Sequence, residues 1–178
     1  MREHEYETEI DTRLEGKLGF DRVRTFVADR CSTEYAVTRV TEERFSNDPK
    51  VIRERLALTD EMRLIVMFEE NFPTNGYIDC LDFLKPLEKT GYTIDILSLG
   101  KLRTMVETVR KLTNFFMSIK DGVYPNLKRM SAPVLSFPEV QRRIDQILDK
   151  FGDVKDTASD KLLEIRRAIK TKEGAISK

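Results

Sequence analysis

At 178 residues, 40% apolar and 35% charged, the chain is long enough for one ordinary domain with a real core. Eight Gly and six Pro among many Glu, Lys, Arg and Leu favour helices over sheet. A formal net charge of zero excludes a global basic field that would recruit nucleic acid or membrane.

The charge is nevertheless uneven along the chain. Glu3, Glu5, Glu7, Glu9, Asp11 and Glu15 crowd the beginning, and Lys161, Arg166, Arg167, Lys170, Lys172 and Lys178 crowd the last stretch. Residues 1–17 read as a flexible acidic tail, polar and aperiodic, too acidic for a signal peptide. No apolar run approaches the roughly 20 residues that span a bilayer, so the expectation is a cytoplasmic protein with no membrane contact. Cys31 and Cys80 lie far apart among apolar neighbours, which predicts buried free thiols in a reducing compartment.

Order is expected from Leu18-Gly-Phe20-Asp21. Phe20, Val23, Val27 and Cys31 share one helical face, and Ser32 or Thr33 caps a second helix that buries Tyr35, Ala36 and Val40. Asn47-Asp48-Pro49 is a helix start, followed by Ile52, Leu56, Met62, Ile65 and Val66 to about Glu70. Phe68 is expected to be buried and Glu69-Glu70 to be solvated. Phe72 to Gly76 is a loop, and Pro86 bends or ends the segment Ile78 to Leu87.

Ser98 to about Ile119 is the longest helix. Its two adjacent apolar stripes, from Leu99 to Ile119, suit a central position. Asp121-Gly122 breaks it, Tyr124-Pro125 opens a short helix, and Ser136-Phe-Pro138 opens another. In the latter Val140, Ile144, Ile147, Leu148 and Phe151 form the inner face, and Gly152 caps the end. The last helix, from about Thr157, carries Leu162, Ile165, Ile169 and Ile176 at heptad spacing with Lys172 in the remaining slot. That spacing suits a coiled-coil arm, and the pattern predicts further chain after it.

Catalytic chemistry has little to stand on. His4 is the only histidine and lies in the tail, which removes Ser-His-Asp, Cys-His and His-based metal arrangements. No glycine is followed by another five positions later, so a GxxxxGK[ST] phosphate loop is absent. Arg142-Arg143 and Arg166-Arg167 are either phosphate contacts or solubilising surface. Phe68-Glu-Glu70 and Phe137-Pro-Glu139 have the Phe-x-Glu form of mismatch readers but fit a helix end and a helix entrance.

Leu18 to Arg24 with Cys31-Ser32, Asp79 to Leu84, Ser98 to Leu102 and Tyr124-Pro125-Asn126-Leu127 resemble stretches of the second bacterial MutS family, whose members lack the mismatch-reading domain and end in a small Smr nuclease module. The most specific runs from Ile144 to Arg167, through Asp149, Gly152, Asp153, Val154, Asp156, Ala158 and Ser159. The resemblance implies an all-α, multi-helix core (lever) domain at residues 18–156. Residues 157–178 would then begin an arm leading toward a coiled-coil clamp.

It also implies a parent protein that binds ATP and magnesium, dimerises, and carries an Smr endonuclease. That parent would bind branched DNA or the RNA of stalled ribosomes and suppress homologous recombination. ATPase and nuclease would lie outside these residues. This stretch, expected to be monomeric, would then be a mechanical connector to the remainder of its own chain, with no cofactor. Arg166, Arg167, Lys170 and Lys172 are the positions expected nearest a nucleic-acid backbone. An unrelated helical adaptor that binds a partner helix is the alternative.

Overall fold

The computed structural model describes residues 12–44 and 46–176. Among them are nine α-helices and one 3₁₀ turn, with no strand, so the all-α multi-helix expectation holds. The chain forms two compact units, Met1–Glu70 with Lys120–Met130 and Asn71–Ile119 with Ser131–Lys178.

In the first unit, α1 (Thr12–Leu18) and α2 (Phe20–Ala28) meet at Gly19, whose φ of +73° is cheap only for glycine. The expected loose tail is therefore helical from Thr12 onward, while residues 1–11, with His4, lie outside the described residues. The cause is a charge rather than an apolar stripe. Buried Glu15 receives Arg24 Nη1 and Nη2 at 3.0 and 3.2 Å, and the same guanidinium donates to Glu43 O at 2.9 Å. Arg24 also lies over the Phe20 ring, 4.9 Å from its centroid. Hydrophobic periodicity cannot see an anchor of this kind.

Thr33, not Ser32, caps α3 (Glu34–Glu42), its Oγ1 accepting from Ala36 N at 3.1 Å. Ala36 and Val40 are half-buried, but Tyr35 is 63% exposed, contrary to the sequence expectation. With nine residues packed on α2, α3 covers only a narrow face.

Asp48 and Pro49 start α4 (Pro49–Phe68) as the sequence predicts, with Asp48 Oδ1 accepting from Lys50 N at 2.8 Å. One side of α4 receives the short α7 (Pro125–Ser131). Buried Glu61 accepts from Asn126 N at 3.1 Å, Asn126 Nδ2 at 2.6 Å and Leu127 N at 2.8 Å. It acts as an N-cap supplied by another helix, satisfying amides that α7 cannot satisfy itself. Glu69 Oε1 accepts from Tyr124 OH at 3.0 Å, so this carboxylate is not a merely solvated helix end. Burial and the Glu69 charge both raise the Tyr124 pKa, which keeps the phenol a donor. Ile65, Tyr124 and Leu127 are buried here, whereas Phe68 is 68% exposed because α4 stops there and Glu69 turns extended.

In the second unit the loop after α4 is fixed by aromatic edges. Phe72 meets Phe115 and Phe116 edge-to-face, with centroids 5.2 and 6.4 Å away. Gly76 has φ +88°, and a Cβ there would collide with Thr108 Oγ1, which donates to Asn75 O at 3.4 Å. The next element, α5 (Leu81–Leu84), passes into the 3₁₀ turn Lys85–Glu88, where Pro86 ends regular α geometry as expected.

The longest helix, α6 (Ile96–Ser118), begins two residues before Ser98. Its cap is Asp95, which accepts from Ser98 N at 2.9 Å and Ser98 Oγ at 2.6 Å. Those two bonds hold the Asp95 carboxyl below its ordinary pKa. Val106, Thr108, Phe115 and Phe116 are buried around a wide arc of α6, which packs against α8 (Pro138–Ile147). Among the described residues, no helix is long and apolar enough to cross a membrane.

Candidate functional site

The Ile144–Arg167 stretch is the part of the second unit where sequence specificity and geometry coincide. Ile144 is buried against the unit, and α8 stops at Ile147. Leu148 turns extended (φ −101°, ψ 142°), is wholly buried, and bridges antiparallel to Val154. Lys155 N donates to Ile147 O at 2.8 Å and Asp149 N to Asp153 O at 2.8 Å, closing a short hairpin-like turn. Its tip needs Gly152 at φ +89°. Phe151 sits on that tip, 78% exposed, instead of on the inner face that an uninterrupted helix would give it.

Asp149 organises the turn. Its Oδ1 accepts from Phe151 N at 2.8 Å and Asp153 N at 3.0 Å. Burial alone would raise its pKa. The amides of Asp153, Phe151 and Gly152, with the Lys155 charge, outweigh that and hold the carboxyl below its ordinary value. A lowered native pKa stabilises the turn above the unfolded-chain value of about 3.9, and the contribution is lost as pH falls through the native value. A carbon-detected NMR titration is expected to show Asp149 protonating below the unfolded-chain value of about 3.9, with the Phe151 and Asp153 amide signals moving in step. Titration of Asp149 at or above that value would contradict this role.

Arg103 of α6 ties the turn to the body. Its Nη1 donates to Asp149 O at 2.7 Å, and its Nε lies 2.7 Å from Asp145 Oδ1. That buried oxygen accepts no directed hydrogen bond, so charge holds the pair. Lys155 Nζ donates to Asp145 O at 2.6 Å from the other side.

Past the turn, Ser159 Oγ accepts from Leu162 N at 3.2 Å and starts α9 (Asp160–Ile176). Leu162 and Leu163 are half-buried at its base, while Ile165, Ile169 and Ile176 are exposed.

The four expected backbone-contact residues all lie on α9, but the structure divides them. Arg166 Nη1 donates to Asp156 Oδ1, and Lys170 Nζ stands 3.8 Å from Asp156 Oδ2. These two are one turn apart and share one carboxylate. Arg167 and Lys172 are exposed on other sides of the helix, since five residues advance it about 140° beyond a full turn. The other arginine pair, Arg142 and Arg143, closes on Glu139 at 2.6 and 3.2 Å. The bonds from Arg142 and then Arg143 lower that carboxyl to about 2.

Sequence reasoning gave no role to Asp156, Asp145, Lys155 or Arg103. Asp149-x-x-Gly152 carries a readable turn signal, and Asp156 before a Ser159 cap marks a helix entrance. Nothing local, however, ties Arg103 to residues more than forty positions away.

A separate apolar groove of about 440 Å³ lies in the same unit, lined by Cys80, Leu84, Met105, Val109, Phe137 and Val140 among others. Burial, then the Asp79 charge, raise the Cys80 pKa, which favours the protonated thiol. Cys31 is only half-buried, less than expected. Among the described residues, no three or more His, Cys, Asp or Glu gather as a metal site.

No protein-family model matches the chain. It is similar to Endonuclease MutS2 of Listeria innocua serovar 6a, 25% identical over 169 residues, covering 94% of this chain and 21% of that protein. Endonuclease MutS2 of a Geobacillus species is 26% identical over the same shares. That of Geobacillus thermodenitrificans is 25% identical over 161 residues, 89% of this chain and 20% of that protein. The chain spans about a fifth of the length of the curated relatives it matches. Over most of its length, the turn at Asp149 to Asp156 included, the chain is therefore similar to MutS2 proteins at about a quarter of its positions.

Proposed function

We propose that this chain is a helical connector of a MutS2-like protein, with residues 18–156 as the core and 157–178 as the first turns of an arm toward a nucleic-acid clamp. The observation that carries this reading is the clasped turn at residues 145–156. It launches α9 at a fixed point, with charged residues and an apolar stripe left exposed. The connector makes and breaks no bonds. On this reading the ATPase, with its ATP and magnesium, the endonuclease and the dimer contact belong to residues outside this chain. The parent is a cytoplasmic homodimer acting in recombination control on branched DNA, or on ribosomal RNA.

Arg166, Arg167, Lys170 and Lys172 are the contacts to phosphate. With zero net charge, binding by this chain alone is expected to be weak, with Kd of about 10⁻⁴–10⁻⁶ M at physiological salt. Salt titrations with duplex DNA, branched DNA and an RNA hairpin test it. The double variant Arg167→Gln/Lys172→Gln is expected to flatten the log–log salt slope by about 0.7–0.9 for each contact removed. An unchanged slope assigns these residues to solubility alone. The exposed Ile165, Ile169 and Ile176 also fit the adaptor reading, in which a partner helix covers α9 and the salt slope is flat throughout.

A further inference from the structure

The geometry points to Asp156 as an internal stand-in for a phosphate group: Arg166 and Lys170 form a phosphate subsite that the protein fills with its own carboxylate. A nucleic-acid phosphate that displaces it would free the base of α9. This rests on the proposed nucleic-acid contacts of α9 and adds to them a regulation.

Three observations converge. First, the two cations stand one helical turn apart on the same side of α9, and each takes a different oxygen of Asp156. A phosphodiester presents the same pair of anionic oxygens on one centre, and a guanidinium with an ammonium is a common way to hold it. Second, the contact is open. The side chains of Arg166 and Asp156 are 40% and 43% exposed, so a ligand can reach them and little binding energy is needed to part them. Third, the carboxylate is part of a strap. Asp156 follows Lys155, which is anchored at Asp145 O and Ile147 O, and precedes Ala158, whose amide donates to Lys155 O at 3.0 Å. Among the described residues α9 makes no substantial packing with another helix, and this ion pair joins its second turn to the strap beside the half-buried Leu162 and Leu163.

Binding and orientation are therefore coupled. With Asp156 seated, α9 leaves the turn in one direction; with phosphate seated, Asp156 is released and the first two turns of α9 pivot about Ser159. By linkage, whatever holds α9 in its clasped direction weakens phosphate binding by the same factor by which bound phosphate weakens that hold.

The test uses the full chain and a short single-stranded DNA at low salt. Asp156→Asn is expected to bind about two- to five-fold tighter than the unchanged protein, the factor that corresponds to an exposed ion pair no longer having to open. Asp156→Glu is expected to restore the original affinity. Glu164→Gln makes the same change in net charge on the exposed side of α9 and is expected to have a smaller effect. Amide exchange is the second readout. DNA should accelerate exchange across residues 157–163 of the unchanged protein, while Asp156→Asn exchanges faster there without DNA, with α6 and α8 unaffected in both.

Equal gains from Asp156→Asn and Glu164→Gln would reduce the effect to net charge and overturn the proposal. Unchanged or weaker binding by Asp156→Asn would overturn it as well. If the salt slope still depends on Arg167 and Lys172 in those cases, the nucleic-acid reading stands without the clasp. If no variant binds DNA or RNA, both fall.

Discussion

Leu148→Ala is expected to destabilise the second unit by about 2–5 kcal/mol, while Phe151→Ala stays within about 0.5 kcal/mol of the original protein. The two residues are three positions apart, and a continuous helix would place them on one face. The structure separates them because α8 ends at Ile147. Leu148 is completely buried where the chain turns extended to pair with Val154, whereas Phe151 rides the tip of the turn. Removing the Leu148 side chain loses its transfer free energy and leaves a void at the root of the turn. Urea unfolding measures the contrast. With a slope of about 1–3 kcal/mol per molar, the Leu148 variant should unfold at a midpoint lower by about 1 M or more. Equal losses from both substitutions would mean that α8 continues through Phe151 and that the turn is not formed.

Glu61→Ala is the second large effect, about 2–3 kcal/mol, and it acts through hydrogen bonds rather than volume. The carboxylate is buried and accepts three bonds from the start of α7. Its removal orphans the amides of half-buried Asn126 and buried Leu127, and an unsatisfied buried donor costs about 1–3 kcal/mol. It also takes a negative charge from the N-terminal end of α7, where the amide dipoles favour one. Glu61→Gln keeps an acceptor oxygen and is expected to lose about half as much. Unfolding curves give the magnitude, and amide exchange should localise it, with Leu127 N the first to lose protection. Matching losses for Glu61→Ala and the exposed Glu54→Ala would show that α7 is not capped from α4.

The sequence by itself determined whatever is set by short-range chemistry. Asp48-Pro49 starts α4, Pro125 and Pro138 open α7 and α8, and Pro86 ends α5, each within a residue or two of its place, while α9 begins at Asp160, three residues after the expected Thr157. Capping bonds and proline's fixed φ act over two to four residues, so they are legible in the chain itself. The all-α class follows from the same sparing use of Gly and Pro.

Tertiary structure alone decided which of those surfaces are covered and which charges meet. Tyr35, Phe68 and Phe151 sit at apolar positions of the helical pattern yet remain exposed, because a helix end or a narrow contact leaves nothing over them. Glu15, Glu61 and Arg103 are structural anchors, and hydrophobic periodicity carries no signal for an ion pair or a cap supplied from a distant helix. The basic end of the chain divides in the same way. Its composition places Arg166, Arg167, Lys170 and Lys172 on one helix, and only the folded strap brings Asp156 onto two of them. The helical phase then carries Arg167 and Lys172 elsewhere, because 3.6 residues per turn fixes which side chains share a side, while packing fixes what each side faces.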